Sequence, residues 1–551
     1  MVRKILNQKT FAAIFITITN LIFFANISRF DPDPHHDGVM FTAALASALG
    51  KVPNREFFAQ YGPLTPVLQG MWLDLTSPTL FNLRLLHAII LTISALLMFL
   101  IISKRIRVDI AMITTLIWTF GNPLLLTAIL PWTTNITTFL ILLIIYSYEK
   151  LVKFPRLIAF SWGLVFVLGF LVRIHFAVTA VFILIFLWKK KLRHKVTLKW
   201  LFIGILSGVS ITSAIFSFYG IWSDFIYQCF IWPAQFVVEV KRTWREYFSF
   251  KFIFYGFFII GTSLFLNYLS KKNILNRAIK IIFGILITVL FVDASSAYKI
   301  NNLPIGGITN DILHNLKIIR ESMIIGPLLS LPVLFGSIFI WLRKRKRKSI
   351  AEDDFIDFAV GVTITAFLYL YPVPDSIHLW WVAPIIISGI FLMLSSIGEF
   401  STKLISNLKF SLMIPILIGS IMLQLNYLQI PREPYKSKTL VGMLGKPTQV
   451  QWLDATMLNL EKYAHEGGVE FRCADGIYAS AGGKFLADNK IFYRFRFPNL
   501  KQTSKIEENK VFYCGTSSSV SDLEENGKLK LIFQQRIGDS EYFNLLFEKF
   551  K

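Results

Sequence analysis

Long apolar runs separated by short charged clumps dominate the pattern along this chain. FAAIFITITNLIFFANI (11–27) opens the series, and runs of about 15–21 residues follow, long enough to cross most or all of a bilayer core. Their lengths predict about thirteen membrane helices, near 11–28, 82–102, 109–129, 133–148, 157–172, 174–188, 200–220, 250–269, 278–292, 323–342, 354–371, 379–397 and 408–426. The pattern changes past residue 430. TQVQWLDATMLNLEKYAHEGG (448–468) reads as an amphipathic helix closed by Gly467 and Gly468. VEFRC, KIFYRFRF, KVFYC and KLKLIFQQR read as strands.

The expected fold is therefore an all-α polytopic membrane protein with a small C-terminal α/β domain. Residues 1–429 form the membrane part, with a long first outer loop at 29–81, and residues 430–551 form the α/β unit. Composition agrees: 54% of the 551 residues are hydrophobic and 15% aromatic. Mean hydropathy is +0.56. A soluble core cannot absorb that much apolar surface, so the lipid bilayer is the expected solvent.

The formal charge of +23 raises nucleic acid as a partner. Placement argues against it. Basic residues concentrate on alternate connections, including MVRKILNQK, SKRIR, KKKLRHK and RKRKRK, as the positive-inside rule requires. This sets the N-terminus on the cytoplasmic side and, with an odd span count, the C-terminal domain on the outer side. The Asp-Pro repeats after the first run lack a clean cleavage site, so that run reads as an uncleaved anchor. An exported compartment permits a disulfide between Cys473 and Cys514, with unpaired thiols as the alternative.

Candidate chemistry sits where the chain leaves the first span. DPDPHHDG (31–38) packs Asp31, Asp33, His35, His36 and Asp37 into eight positions. Asp37 is an acceptable N-cap for an interfacial helix ending near Gly50. Gly62-Pro63 makes a turn before a second short helix, and Arg84 marks the outer mouth of the next span. The hairpin 157–188 has short legs, so Arg173 and His175 in its turn sit below the outer lipid surface. Ionisable residues at that depth are a functional pointer. The hairpin 109–148 turns at GNP…PWTTN without charge and offers none. Trp380-Trp381 with His378 reads as an interfacial aromatic belt.

These features, in this order, resemble the GT-C membrane glycosyltransferases: an acidic residue past the first span, an interfacial helix, a Tyr61-Gly62-Pro63-Leu64 turn, an Arg entering the next span, and YPVPDSIHLWWVAP (371–384) near a late span. The likeness is nearest to the protein O-mannosyltransferase and aminoarabinose-transferase type, including a bacterial group with similar first loops, and covers roughly residues 1–426. It implies transfer of a sugar from a polyprenyl-phosphate donor to a cell-envelope acceptor at the outer face of a bacterial cytoplasmic membrane, with inversion. It implies Asp37 as general base. It further implies substrate contacts from Asp33, His36, Tyr61, Arg84, Arg173, His175, Lys241, Arg242, Asp375 and His378. Many relatives carry Asp-Glu where this chain has Asp37-Gly38, which leaves the second acidic role to Asp33 or Asp375. A divalent metal ion near the phosphate is chemically reasonable, but no spaced ligand set is visible. The competing readings are a transporter or flippase for lipid-linked glycans, and a glycan polymerase or ligase using a lipid-diphosphate donor.

Overall fold

The apolar runs fold as helices wherever the structure describes them. This computed structural model describes residues 2–121, 129–189, 194–234, 354–366, 369, 376–396, 409, 413–464, 469–472, 476–481, 510–516, 529–536 and 542–549. In chain order the helices are α1 Val2–Ile27, α2 His36–Ala48, α3 Leu64–Leu75, α4 Leu80–Ile102, α5 Val108–Phe120, α6 Thr133–Lys153, α7 Pro155–Val172, α8 Phe176–Lys189, α9 His194–Tyr219 and α10 Trp222–Ile226. Then come α11 Asp354–Ala366, α12 Ser376–Ser396, α13 Ile414–Leu428 and α14 Pro447–Ala464.

Local signals explain several boundaries. Thr79 caps α4 by accepting the Asn82 N–H at 3.3 Å. Pro155 occupies the first turn of α7, where its missing N–H costs nothing. Gly50, at φ +78°, follows the end of α2 in the left-handed conformation that favours glycine.

The described chain is mostly helical. Four of its helical segments are long and apolar enough to cross a bilayer: Asn7–Ile27, Leu80–Ile102, Pro155–Val172 and Val196–Tyr219. Phe202, Leu206, Ile211, Ile215 and Phe218 on α9 stand exposed. Such an outward apolar row is the ordinary surface of a lipid-facing helix. The expected spans at 250–269, 278–292 and 323–342 lie outside the described residues.

Packing between α7 and α9 depends on close backbone approach. A Cβ on Gly163 would lie 2.3 Å from the Leu201 carbonyl oxygen, and one on Gly204 would lie 2.2 Å from that of Phe160. Small residues of this kind let helices meet where lipid supplies no hydrophobic driving force. α12 is fixed differently. Trp118 of α5 and Trp380 stack at 5.0 Å, and each indole N–H donates to the other residue's carbonyl at 3.0 Å. Trp381 stacks on Trp132 at 5.9 Å. Both tryptophans of the 380–381 pair are thus buried in the helical core, not displayed as an interfacial belt.

Beyond α13 the chain folds back onto the segment between α1 and α4. A short ladder pairs β1 Glu433–Pro434 with β2 Leu444–Gly445. A four-stranded sheet contains β3 Val469–Arg472, β4 Lys510–Thr516, β5 Leu529–Arg536 and β6 Tyr542–Lys549 in the order β3-β4-β6-β5, with only β3 and β4 parallel. The expected strands at 469, 510 and 528 are present, β6 is additional, and KIFYRFRF lies outside the described residues. So does Cys473, and with it the expected disulfide. Phe41, Ala44 and Leu45 of α2 share a core with Leu440, Met443, Leu453, Met457, Ile477 and Tyr478. Residues on both sides of the expected boundary at 430 therefore bury the same apolar surface.

Candidate functional site

The start of α2 is built by its acidic residues. Asp33 Oδ1 accepts the backbone N–H groups of His35 (2.9 Å) and His36 (2.7 Å), and its carbonyl accepts the Asp37 N–H at 3.1 Å. Asp33, rather than Asp37, is thus the residue whose side chain caps the turn that leads into this helix. Asp37 answers by accepting the Asp33 N–H at Oδ2 (2.7 Å). The exchange is a reciprocal cap, like a capping box but one residue longer.

Behind the cap lies an ion pair. Arg84 Nε donates to Asp37 Oδ1 at 3.0 Å, and Arg84 Nη2 donates to Asp37 Oδ2. The remaining guanidinium hydrogens reach the carbonyls of Phe30 (2.6 Å), Asp31 (3.3 Å) and Ser28 (3.4 Å). Burial pushes the Asp37 carboxyl above its ordinary range, against the pull of Arg84. Neither side chain is open to a ligand. The sequence expectations of Asp37 as an accessible base and Arg84 as a phosphate clamp meet this geometry: each is the other's partner.

Asp31 holds the C-terminal segment. Its backbone is left-handed (φ +46°), its N–H donates to the Leu444 carbonyl at 2.8 Å, and Oδ2 accepts from Tyr427 (2.5 Å) and from Arg432 Nη2 (3.0 Å). Arg432 also lies over the rings of Phe30 and Tyr427. Nothing in the sequence links residues 31 and 432, which are joined only by the fold.

The accessible side of the cap faces aromatic rings. His36 Nδ1 lies 3.0 Å from Asp33 Oδ2, and the two side chains are 37% and 24% exposed. The Asp33 carboxyl is pushed up by burial, yet the hydrogen bond and charge of His36 outweigh that and hold it below its ordinary value. The His36 ring meets Trp132 edge-on at 5.7 Å, and Trp132 meets Tyr61 at 5.4 Å. Arg173 then lies 5.7 Å above the Tyr61 ring and 5.9 Å from that of Tyr369. Its Nη1 donates to Thr134 Oγ1. His175 follows in the same turn, within electrostatic reach of Arg173. Thr179 joins the group through Tyr369 (3.1 Å) and Thr365 (2.9 Å).

Gly62 enables this meeting. Its φ is +148°, and a Cβ there would sit 2.0 Å from the Leu171 carbonyl oxygen. The segment between α2 and α3 therefore presses backbone against backbone at the end of α7, which sets Tyr61 under Arg173.

Of the expected site residues, Asp33, His36, Tyr61, Arg173 and His175 gather in this cluster, with Arg173 buried at 3% exposure, while Asp37 and Arg84 lie behind the cap. Lys241, Arg242 and Asp375 lie outside the described residues, as does the side chain of His378. The sequence reading missed Trp132, Thr134 and Tyr369. The PWTTN turn was the available signal for the first two. His87, also missed, is fully buried between Gln69 (2.9 Å) and Asn135 (3.2 Å). Among the described residues, no three His, Cys, Asp or Glu side chains converge as metal ligands. Compared with protein-family models, curated proteins and solved structures, the chain matches none.

Proposed function

We propose that this chain is a membrane glycosyltransferase that moves a sugar from a polyprenyl-phosphate donor to a cell-envelope acceptor at the outer face of the cytoplasmic membrane. One observation carries the reading. A cation, Arg173, and an acidic–imidazole pair, Asp33 and His36, flank the same Tyr61–Trp132 aromatic wall. Aromatic faces suit the C–H surface of a sugar ring, a fixed cation suits a departing phosphate, and the opposite side offers a proton acceptor. The surrounding apolar helices suit a polyprenyl tail. The orientation with the N-terminus inside, the thirteen spans and the outward C-terminal α/β domain belong to the same proposal.

Asp37 was the expected base of this reaction, and its burial against Arg84 leaves Asp33 and His36 as the more exposed proton-accepting groups of the same loop. Attack on the anomeric carbon opposite the phosphate gives inversion. The test is turnover. Purified full-length protein in phosphatidylglycerol vesicles is given synthetic polyprenyl-monophosphate hexoses and, in parallel, the diphosphate forms. Release of polyprenyl phosphate from the monophosphate donors is expected. Reaction only with diphosphate donors, or donor movement across the vesicle without bond cleavage, would overturn the reading in favour of a ligase or a flippase.

A further inference from the structure

α9 ends in a turn that changes the chain's direction. The Gly220 N–H donates to the Ser217 carbonyl (3.3 Å) and the Ile221 N–H to that of Phe216 (3.0 Å), with Gly220 at φ +65°, the left-handed conformation that closes helices. The apolar segment Val196–Tyr219 has 24 residues, about 36 Å of helix, enough to use up a bilayer core. On a helix that crosses, the chain that follows starts at the membrane surface. It is helical again at once: α10 runs into a wide turn, Tyr227–Ile231, in which the Trp232 N–H reaches back to the Tyr227 carbonyl.

The two faces of this segment differ. Ile221, Phe225 and Cys229 are buried with Val167, Leu171 and Phe216. Trp222, Ile226 and Phe230, at the same four-residue spacing, are 41%, 47% and 42% exposed, and Ile231 adds another 45%. Asp224 is the sole charged residue across 221–234. The Trp222 indole N–H already donates to Ser217 Oγ at 3.2 Å. Such a face has the apolar body of an interface but little of the polar rim and hydrogen bonding that hold a protein partner. It does continue another apolar surface. Phe218, 81% exposed, ends the outward row of α9, and Trp222 follows four residues later.

The buried side grips the segment between α2 and α3. Gln228 Oε1 accepts from Asn54 Nδ2 and from the Ala59 N–H, both at 2.9 Å, and Gln228 Nε2 donates to the Asn54 carbonyl at 2.7 Å. Cys229 Sγ donates to the Ala59 carbonyl at 3.3 Å, and Arg55 Nη1 to that of Tyr219 at 3.0 Å. Asn54 is buried at φ +65°, a left-handed backbone that these bonds hold in place. Tyr61 stands two residues beyond Ala59.

We propose that residues 222–231 form an interfacial helix seated in lipid, the face of Trp222, Ile226 and Phe230 covered by phospholipid acyl chains, and that this helix anchors residues 54–59 to the membrane surface. Amphipathic helices lie this way, apolar side down at the boundary between headgroups and chains, and tryptophan favours that boundary. The segment that carries Tyr61 then keeps its height relative to the bilayer through Gln228 and Cys229. The inference concerns the membrane and holds independently of the transferase reading.

The experiment uses full-length protein in phosphatidylglycerol vesicles containing a phospholipid with a diazirine in its acyl chain. After illumination, carbene adducts are mapped by mass spectrometry, and a water-soluble diazirine is run in parallel. Acyl-chain adducts are expected on Trp222, Ile226 and Phe230 as well as on Phe202, Leu206 and Phe218 of α9, with little aqueous labelling of either set. Aqueous labelling of 222–231, with acyl-chain adducts confined to α9, would put the face in water. Labelling of 222–231 by neither probe would put it against protein, a second copy of this chain included. Each result overturns the proposal. Two variants then test the anchor by hydrogen exchange in the same vesicles. Gln228→Ala removes the bonds and should speed exchange of the Ala59 amide about tenfold. Ile226→Asp keeps the bonds but sets a short charged side chain into lipid, and should speed the same amide severalfold. Unchanged Ala59 exchange in either variant overturns the anchor.

Discussion

Arg84 and Asp37 are 1% and 0% exposed and bonded to each other through two atoms on each side, so the segment between α1 and α4 is bolted to α4 by a buried ion pair. Breaking one half of such a pair leaves a buried charge, which costs about 3–5 kcal/mol. Arg84→Met also strands three backbone carbonyls. It should therefore be the least stable variant of a cycle with Asp37→Leu and the double replacement. Thermal unfolding in detergent measures the cycle. Losses that simply add would show that the pair does not couple the loop to α4.

A second bolt joins Asp31 to Arg432, 6% and 4% exposed. It ties the segment after α13 to the same loop. Arg432→Ala should cost about 3 kcal/mol or more and release the backbone pairing of Asp31 with Leu444. Hydrogen exchange at those amides, and limited proteolysis of residues 430–447, are expected to increase while α4 and α7 remain protected. Unchanged exchange would mean the shared apolar core alone holds the C-terminal segment.

Gly50 and Gly62 form a controlled comparison. Both have positive φ, but a Cβ on Gly50 meets nothing within 4 Å, whereas one on Gly62 meets backbone. Gly50→Ala should cost about 1 kcal/mol, the conformational penalty alone. Gly62→Ala adds overpacking of about 1–3 kcal/mol and displaces Tyr61 from Arg173. Donor turnover should fall in Gly62→Ala and stay near wild type in Gly50→Ala. Equal effects would remove the α7–α8 contact from the account.

Helices were legible because they depend on local pattern: apolar runs long enough for lipid, Gly62-Pro63 before a helix, Gly50 after one. The chemistry-bearing loop was legible as a cluster, since few sequences put Asp31, Asp33, His35, His36 and Asp37 at a membrane exit. Their division of labour was not. Which carboxylate caps, which pairs and which stays partly exposed depends on Arg84, forty-seven positions after Asp37, and on Arg432 from the far end of the chain. Tyr369 carries no sequence signal of function, and Trp132 only the uncharged PWTTN turn, because a buried aromatic reads as core until a cation or an imidazole is found against it.

Asp33 predicts the pH response of this loop. Its folded carboxyl lies below its ordinary value, chiefly because the hydrogen bond and charge of His36 overcome desolvation. Stability from a lowered carboxyl is fully present above the ordinary aspartate value and is lost as pH falls through the folded value. Acid titration should therefore loosen the start of α2, seen as faster exchange of the His35 and His36 amides. Asp33→Asn should flatten that acid response while leaving the neutral-pH exchange close to wild type. A response that survives in the variant would have to come from another carboxylate.

Arg173 tests the cationic side of the cluster. Its guanidinium lies 5.7 Å and 5.9 Å from the ring centroids of Tyr61 and Tyr369, while Nη1 donates to Thr134. A lysine keeps the charge but gives up the planar stacking and the forked donors. If phosphate is recognised here, Arg173→Lys should weaken donor binding about tenfold with kcat largely preserved, and Arg173→Gln should lose both binding and rate, since leaving-group charge is then uncompensated. Trp132→Phe should reduce discrimination among sugars more than it reduces phosphate affinity, because it alters the wall and not the cation. Donor KM and kcat for the three variants separate these roles. Wild-type kinetics in Arg173→Gln would move the phosphate to another part of the chain and dissolve the link between the Tyr61 turn and catalysis.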